Sequence, residues 1–179
     1  YMLRTLNPQT LVWDGPDADY TPFSDDLPWC MVPEKKITVE DVKYVLSSHY
    51  QGTPYDPYAS YGDKTMCGAY RSIGINRNDV MTLIQMRPEG EPIQWLAFAS
   101  NAFNVLAPFY TDMDTTPGYL SGTNEKVSTE NFYWMSRMIA AMADASYSKS
   151  VFHIERYQEK VAAKSHEILN RYDTLLEQE

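Results

Sequence analysis

The sequence predicts an α+β chain: an antiparallel sheet near its middle, followed by a pair of C-terminal helices. Two apolar runs at 79–87 and 93–99, joined by the turn-forming stretch Pro88-Glu89-Gly90-Glu91-Pro92, predict a β-hairpin. Two apolar stripes at helical spacing beyond residue 128 predict the helices.

Residues 14–36 hold Asp14, Gly15, Pro16, Asp17, Asp19, Pro22, Asp25, Asp26, Pro28 and Pro33, a density of turn formers that predicts surface loop with short extended pieces. Thr38-Val39-Glu40-Asp41 reads as a helix start with a capping residue and an acidic first turn. Val39, Val42, Leu46 and His49 then repeat at helical spacing, so this helix is expected to run to about Tyr50. Residues 51–68 form a Pro/Gly/Tyr-rich loop carrying Tyr55, Tyr58 and Tyr61, a composition that lines sites in some proteins and merely caps cores in others. A strand is expected over Arg71–Ile75, where Ile73 and Ile75 alternate with small or polar neighbours. In the hairpin, both runs carry apolar side chains on both faces (Val80, Ile84 against Met81, Leu83; Trp95 against Leu96, Phe98), which predicts that each face of the sheet is covered.

Further on, Ser128 or Thr129 is placed to cap a helix with a Phe132, Met135, Met138, Ile139, Met142 stripe. From Val151 the series Ile154, Tyr157, Val161, Ser165, Ile168, Tyr172, Leu175 predicts a second amphipathic helix reaching nearly to Glu179, the two pairing as a helical hairpin over one sheet face.

A chain of 179 residues is long enough for one domain, burying roughly 70% of the surface its unfolded form exposes. Fifteen Lys+Arg against 24 Asp+Glu give a formal charge of −9, and no basic run offers a phosphate-tracking stripe. Nucleic acid and anionic membranes are therefore unexpected partners. The longest strongly apolar stretches, such as Trp95–Ala99, fall far short of a spanning helix, which needs about 20 residues; a soluble chain is expected. Cys30 and Cys67 are the sole cysteines and lack a framework spacing, which points to a reducing cytoplasm. No cationic and apolar leader opens the chain, and its start on Tyr1 rather than Met reads as a cut.

Cys67 lies close in sequence to Lys64 and Arg71, cations that favour thiolate, but a cysteine hydrolase also needs a base, and His49, His153 and His166 are not placed beside it by sequence. A small buried or loop thiol is the simpler reading. Asp112-Met113-Asp114-Thr115-Thr116 matches a DxDxT phosphotransfer pattern, yet Pro108 interrupts the preceding apolar run, so turn-forming or capping aspartates are expected. As a calcium loop the same segment fails, with Pro117 at the glycine position and Thr123 at the bidentate position. The methionine stripe reads as helix core rather than a ligand groove, and Glu155, Arg156, Glu159, Lys160, Lys164 and Glu167 as a solvated face.

Taken in order, "NPQ", "KKITVEDVKYVLSSHYQGTPYD", "GAYRSIGINR", "IQMRP", "IQWLAFASNAFNVLAPFY" and "ENFYWMSRMIAAMAD" resemble the later part of bacterial dipeptidases of the N-terminal nucleophile (Ntn) hydrolase superfamily, in register over most of residues 1–145. The resemblance implies a four-layer αββα sandwich and cytoplasmic hydrolysis of dipeptides with no metal or other cofactor. It also implies a nucleophilic cysteine at the mature N-terminus. Since the first residue is Tyr1, the chain is expected to be the C-terminal portion of such an enzyme, inactive alone and completed by its missing N-terminal part.

By the same resemblance "GAYRSIGI" corresponds to the segment where related hydrolases hold an arginine near the cysteine, making Arg71 the candidate catalytic-site cation. Its role would be to favour thiolate and to grip a substrate carboxylate with its planar fork. Pairing with an acidic side chain of the structure is the alternative. Arg77 reads as structural, and the oxyanion donors stay unassigned. Two other functions stand beside the dipeptidase: a non-enzymatic interaction module, and an amidase or acyltransferase on the same scaffold. A truncated sandwich exposes strand edges, so self-association into a homo-oligomer is expected in either case.

Overall fold

The computed structural model describes residues 1–59 and 62–178, so the expectation for Tyr61 lies outside the described residues. The chain divides into two units, Tyr1–Val45 and Leu46–Glu179.

The first unit opens with the short helix α1 (Met2–Leu6), and residues 7–38 then run without regular structure, as their prolines and aspartates predict. Side chains replace the missing backbone ladder there. Asn7, buried, donates from Nδ2 to the Val32 carbonyl at 2.6 Å, and the Glu34 carboxylate accepts from the backbone N–H groups of Gln9 and Thr10 at 2.7 and 2.6 Å. Helix α2 (Val39–Leu46) begins with the expected cap in reciprocal form. Thr38 Oγ1 accepts from the Asp41 N–H at 3.1 Å while Asp41 Oδ2 accepts from the Thr38 N–H at 3.0 Å.

The helix stops at Leu46, four residues short of the expected Tyr50. Ser48 takes over the backbone: its Oγ accepts from the Tyr50 N–H at 3.0 Å, and Tyr50 itself sits at φ +64°. His49 is therefore in a turn and not on the helical stripe.

The second unit carries the sheet, β1 (Val80–Gln85), β2 (Ile93–Phe98) and β3 (Ala107–Tyr110), antiparallel in the order β1-β2-β3. The hairpin is the expected one, with Met81 opposite Ala97, Leu83 opposite Trp95 and Gln85 opposite Ile93. The third strand is not. Residues 71–75 form no strand, and the place falls to 107–110, where Pro108 pairs with Trp95 on an edge strand that tolerates the missing N–H.

One face of the sheet, bearing Ile93, Trp95 and Ala97, is buried. Helix α4 (Tyr147–Leu176) contributes to that cover through His166, whose ring lies 5.3 Å from that of Trp95. The other face is covered only in part, contrary to expectation: Phe98 packs edge-on against Phe132 at 5.5 Å, but Val80 and Ile84 remain 54% and 56% exposed.

Helix α3 (Phe132–Ala145) is capped by Asn131, whose side chain accepts from the Trp134 N–H, rather than by Ser128 or Thr129. The methionine stripe does not form its core face, since Met135 and Met142 are exposed; the buried positions are Ser136, Ala140 and Ala143. Small side chains let this helix approach closely, and Ala140 and Ala143 join Ala99 and Phe103 in one buried cluster with Tyr58, Tyr147 and Ile154 around it. Only Ser146 separates α3 from α4, which starts four residues before the expected Val151. Both helices contact the sheet and each other, and the buried positions of α4 are Ser165 and Leu169, with Ile168, Tyr172 and Leu175 exposed.

The turn after β2 anchors this assembly. Ala99 adopts φ +58°, and Asn104, buried, donates to the carbonyls of Ser100 and Ser136 at 3.0 and 3.2 Å. Gln158 of α4 closes the turn by donating to the carbonyls of Ala102 and Asn104, both at 3.0 Å.

Candidate functional site

The site is built from two loops, 47–59 and 62–78, held against the end of α3. In the first loop the turn at Ser48–Tyr50 aims His49 inward, where it is 7% exposed. His49 Nδ1 lies 2.9 Å from Asp56 Oδ1, which also accepts from the Tyr58 N–H at 2.9 Å. With Nδ1–H donating to that carboxylate, Nε2 is the acceptor for the Tyr147 hydroxyl at 3.1 Å. Both ring nitrogens are thus used. Tyr58 stacks on Tyr147 at 4.5 Å, and both present edges to the imidazole. Burial, then the Asp56 and Glu155 charges, push the Tyr147 phenol up to about 12.

The second loop contains "GAYRSIGINR". Gly68, at φ +69°, donates its N–H to the Tyr55 carbonyl at 3.1 Å, and the Tyr55 and Tyr70 rings meet edge-on at 4.9 Å. Gly74 donates to the Ser48 carbonyl at 2.8 Å and packs so closely that a Cβ there would lie 2.5 Å from the Ser47 carbonyl oxygen. Tyr50 donates its hydroxyl to the Arg71 carbonyl at 3.0 Å. Backbone contacts of this kind, not a strand ladder, fix the segment that carries Arg71 and Asn76.

Between the loops and α3 lies an open cleft of about 330 Å³, lined among others by Tyr58, Tyr70, Arg71, Asn76 and Asp144. The Tyr58 hydroxyl donates a short hydrogen bond to Asp144 Oδ1, and Asn76 Nδ2 donates to Oδ2 at 3.0 Å. Burial and then the Asp144 carboxylate hold the Tyr58 phenol well above its ordinary value. Arg71 is exposed at this cleft. Among the described residues no carboxylate pairs with its guanidinium.

The other sequence-predicted residues fall elsewhere. Cys67 is half-buried, Cys30 is exposed, and both are free thiols. Among the described residues no histidine is hydrogen-bonded to Cys67; His49 is committed to Asp56 and Tyr147, and His153 and His166 belong to α4. Asp112 and Asp114 are exposed just beyond β3, and among the described residues no group of three His, Cys, Asp or Glu side chains is placed to hold a metal. Arg77 is exposed and does not line the cleft.

Sequence reasoning missed Asp144 and Asn76 as cleft residues, while Tyr58 lies in the Tyr-rich loop for which site-lining was one of two readings. Asp144 did carry a signal: an acid in the last turn of α3 faces the negative end of the helix dipole, a place where cations are favoured.

Comparison with known proteins fixes the relationship. The family model of peptidase family C69 matches residues 1–160. The chain belongs to peptidase family C69. It is 51% identical over 177 residues to a dipeptidase of Bifidobacterium longum, covering 97% of this chain and 33% of that protein. It is 46% identical to a probable dipeptidase A of Streptococcus pyogenes serotype M3, over 90% of this chain and 36% of that protein. Dipeptidase A of Lactobacillus helveticus is 35% identical, over 88% of this chain and 34% of its own length. The chain thus spans about a third of the length of these relatives. Among the described residues no helix is long and apolar enough to cross a membrane.

Proposed function

We propose that the full-length protein is a dipeptidase whose nucleophile is a cysteine outside residues 1–179, and that this chain supplies one wall of the active site with Arg71 as its cation. The observation that carries the reading is a guanidinium without a carboxylate partner among the described residues, exposed in a cleft of a chain that matches dipeptidases along nearly its whole length. Neither thiol of the chain suits the part of nucleophile, as no imidazole is hydrogen-bonded to Cys30 or Cys67 among the described residues.

In this mechanism the thiolate attacks the amide carbonyl, the amine departs with a proton, and water releases the acyl group from sulfur. Arg71 contributes a fixed positive charge that favours thiolate over thiol and holds a substrate carboxylate through two parallel N–H donors. The fold belonging to this reading is the four-layer Ntn sandwich. Its support is the half-covered sheet face with exposed Val80, Ile84 and Met86, a surface suited to a second apolar layer. Two unpaired thiols favour a cytoplasmic location. The outer edge of β1, which pairs with no further strand among the described residues, favours association with a further chain segment or with another copy.

Assaying residues 1–179 and the full-length protein side by side on a dipeptide panel, with and without chelator, tests the proposal. Chelator-insensitive turnover by the full-length protein alone is the expected result; equal turnover by residues 1–179 would place the nucleophile in this chain.

A further inference from the structure

The cleft holds a second charged group besides Arg71. Asp144 lines it, with one oxygen accepting from Tyr58 and the other from Asn76. Both donors are neutral, so they orient the carboxylate without cancelling its charge. Among the described residues no Lys, Arg or His lies within ion-pair distance of it. An ionised carboxylate has about four lone-pair sites, and these two hydrogen bonds leave room for a further donor. The last turn of α3 adds the negative end of its dipole at the same place. The site is thus arranged to receive a cation with N–H groups.

A cleft lined by one positive and one negative group, each without an ionic partner among the described residues, suits a small zwitterion. A free dipeptide is one: an ammonium at one end and a carboxylate at the other, about 7 Å apart when extended. A volume of about 330 Å³ accommodates such a molecule. A peptide acylated at its amine would leave Asp144 desolvated and unpaired, a cost that sets specificity without touching the reacting atoms.

We propose that Asp144, oriented by Tyr58 and Asn76, is the subsite for the α-ammonium group of a free dipeptide, in the same cleft where Arg71 takes its carboxylate. This rests on the dipeptidase reading above. Recognition of both termini in one cleft confines the enzyme to two-residue substrates and defines Asp144 as a specificity residue.

The test uses the full-length protein and an Ala-Ala dipeptide. Asp144→Asn keeps the shape and the Tyr58 contact while removing the charge; it is expected to raise KM at least tenfold with kcat within about threefold. In the wild type KM should climb as the substrate amine deprotonates above about pH 8, and this climb should vanish in Asp144→Asn. An unchanged KM and an unchanged pH profile in an active Asp144→Asn variant overturn the subsite alone, whereas a wild type inert toward every dipeptide overturns the dipeptidase reading with it. Should the variant fail to fold, competition in the wild type decides: the N-acetyl and des-amino analogues should inhibit at least tenfold more weakly than the free dipeptide, and equal inhibition rejects the proposal.

Discussion

The Tyr58 hydroxyl donates to the Asp144 carboxylate across 86 residues of sequence, tying the Tyr-rich loop to the end of α3. Removing the hydroxyl with Tyr58→Phe keeps the stacked ring on Tyr147 and leaves one Asp144 oxygen without its donor. The expected loss is about 1–2 kcal/mol at neutral pH, read from urea unfolding. Tyr58, Tyr147 and Tyr110 are all held protonated above their ordinary value of 10.0. For an acid raised in the folded state, the unfolded chain loses its proton first, so stability is intact below pH 10 and falls as pH rises beyond it. Tyr58→Phe should shallow that alkaline decline, and an identical slope in the variant would show that Tyr58 does not contribute.

Arg87 and Asp173 join the hairpin to α4. Arg87 Nη1 donates to Asp173 Oδ2 at 2.6 Å, Nε donates to the Glu91 carbonyl at 2.6 Å, and Tyr110 donates to Asp173 Oδ1 at 2.9 Å. The Arg87 hydrogen bond, with help from Tyr110, holds the Asp173 carboxyl below its ordinary 3.8. An acid depressed in the folded state stabilises fully above pH 3.8, and that contribution is lost as pH falls through the lower folded value. Asp173→Asn should cost about 1.5–3 kcal/mol at pH 7 and remove part of the acid limb of the stability curve. Equal stability of variant and wild type at pH 7 would mean the tether is not formed.

Gly74 is the position where the Arg71 loop tolerates no side chain, because its Cβ would meet the Ser47 backbone at 2.5, 2.6 and 2.8 Å. Backbone atoms cannot swing aside as a flexible side-chain tip can. Gly74→Ala should therefore cost about 2–4 kcal/mol and displace Arg71 and Asn76. A melting temperature within a degree of wild type would contradict this packing.

Burial lowers the Lys43 ammonium from an ordinary 10.5 to about 8. A base lowered in the folded state binds its proton more weakly than the unfolded chain does, so stability rises with pH between 8 and 10.5. Lys43→Met should remove this rise, and an unchanged slope between pH 8 and 10.5 in the variant would show that Lys43 does not contribute to it.

The hairpin, the Thr38 cap and the two C-terminal helices were legible because each rests on local chemistry: alternation, a capping side chain, a 3.6-residue period. The third strand was not, because pairing with β2 outweighed the proline at 108 that argued against a strand. The face of α3 was misread for a related reason. Periodicity marked the large side chains, while close approach to Ala99 and Phe103 selected the small ones at 140 and 143. Arg71 was singled out only through the family resemblance of its segment, and the cleft around it depends on Asp144 and Tyr58 arriving from distant segments, which no spacing rule encodes.

The most direct test of the central claim compares kcat/KM of the full-length protein with its Arg71→Ala and Cys67→Ser variants on a free dipeptide. If Arg71 is the cation of an active site whose sulfur lies outside this chain, Arg71→Ala should lower kcat/KM at least about 100-fold, a loss of about 2.7 kcal/mol of transition-state stabilisation, with Cys67→Ser indistinguishable from wild type. Abolished turnover in Cys67→Ser, with Arg71→Ala unaffected, would contradict it.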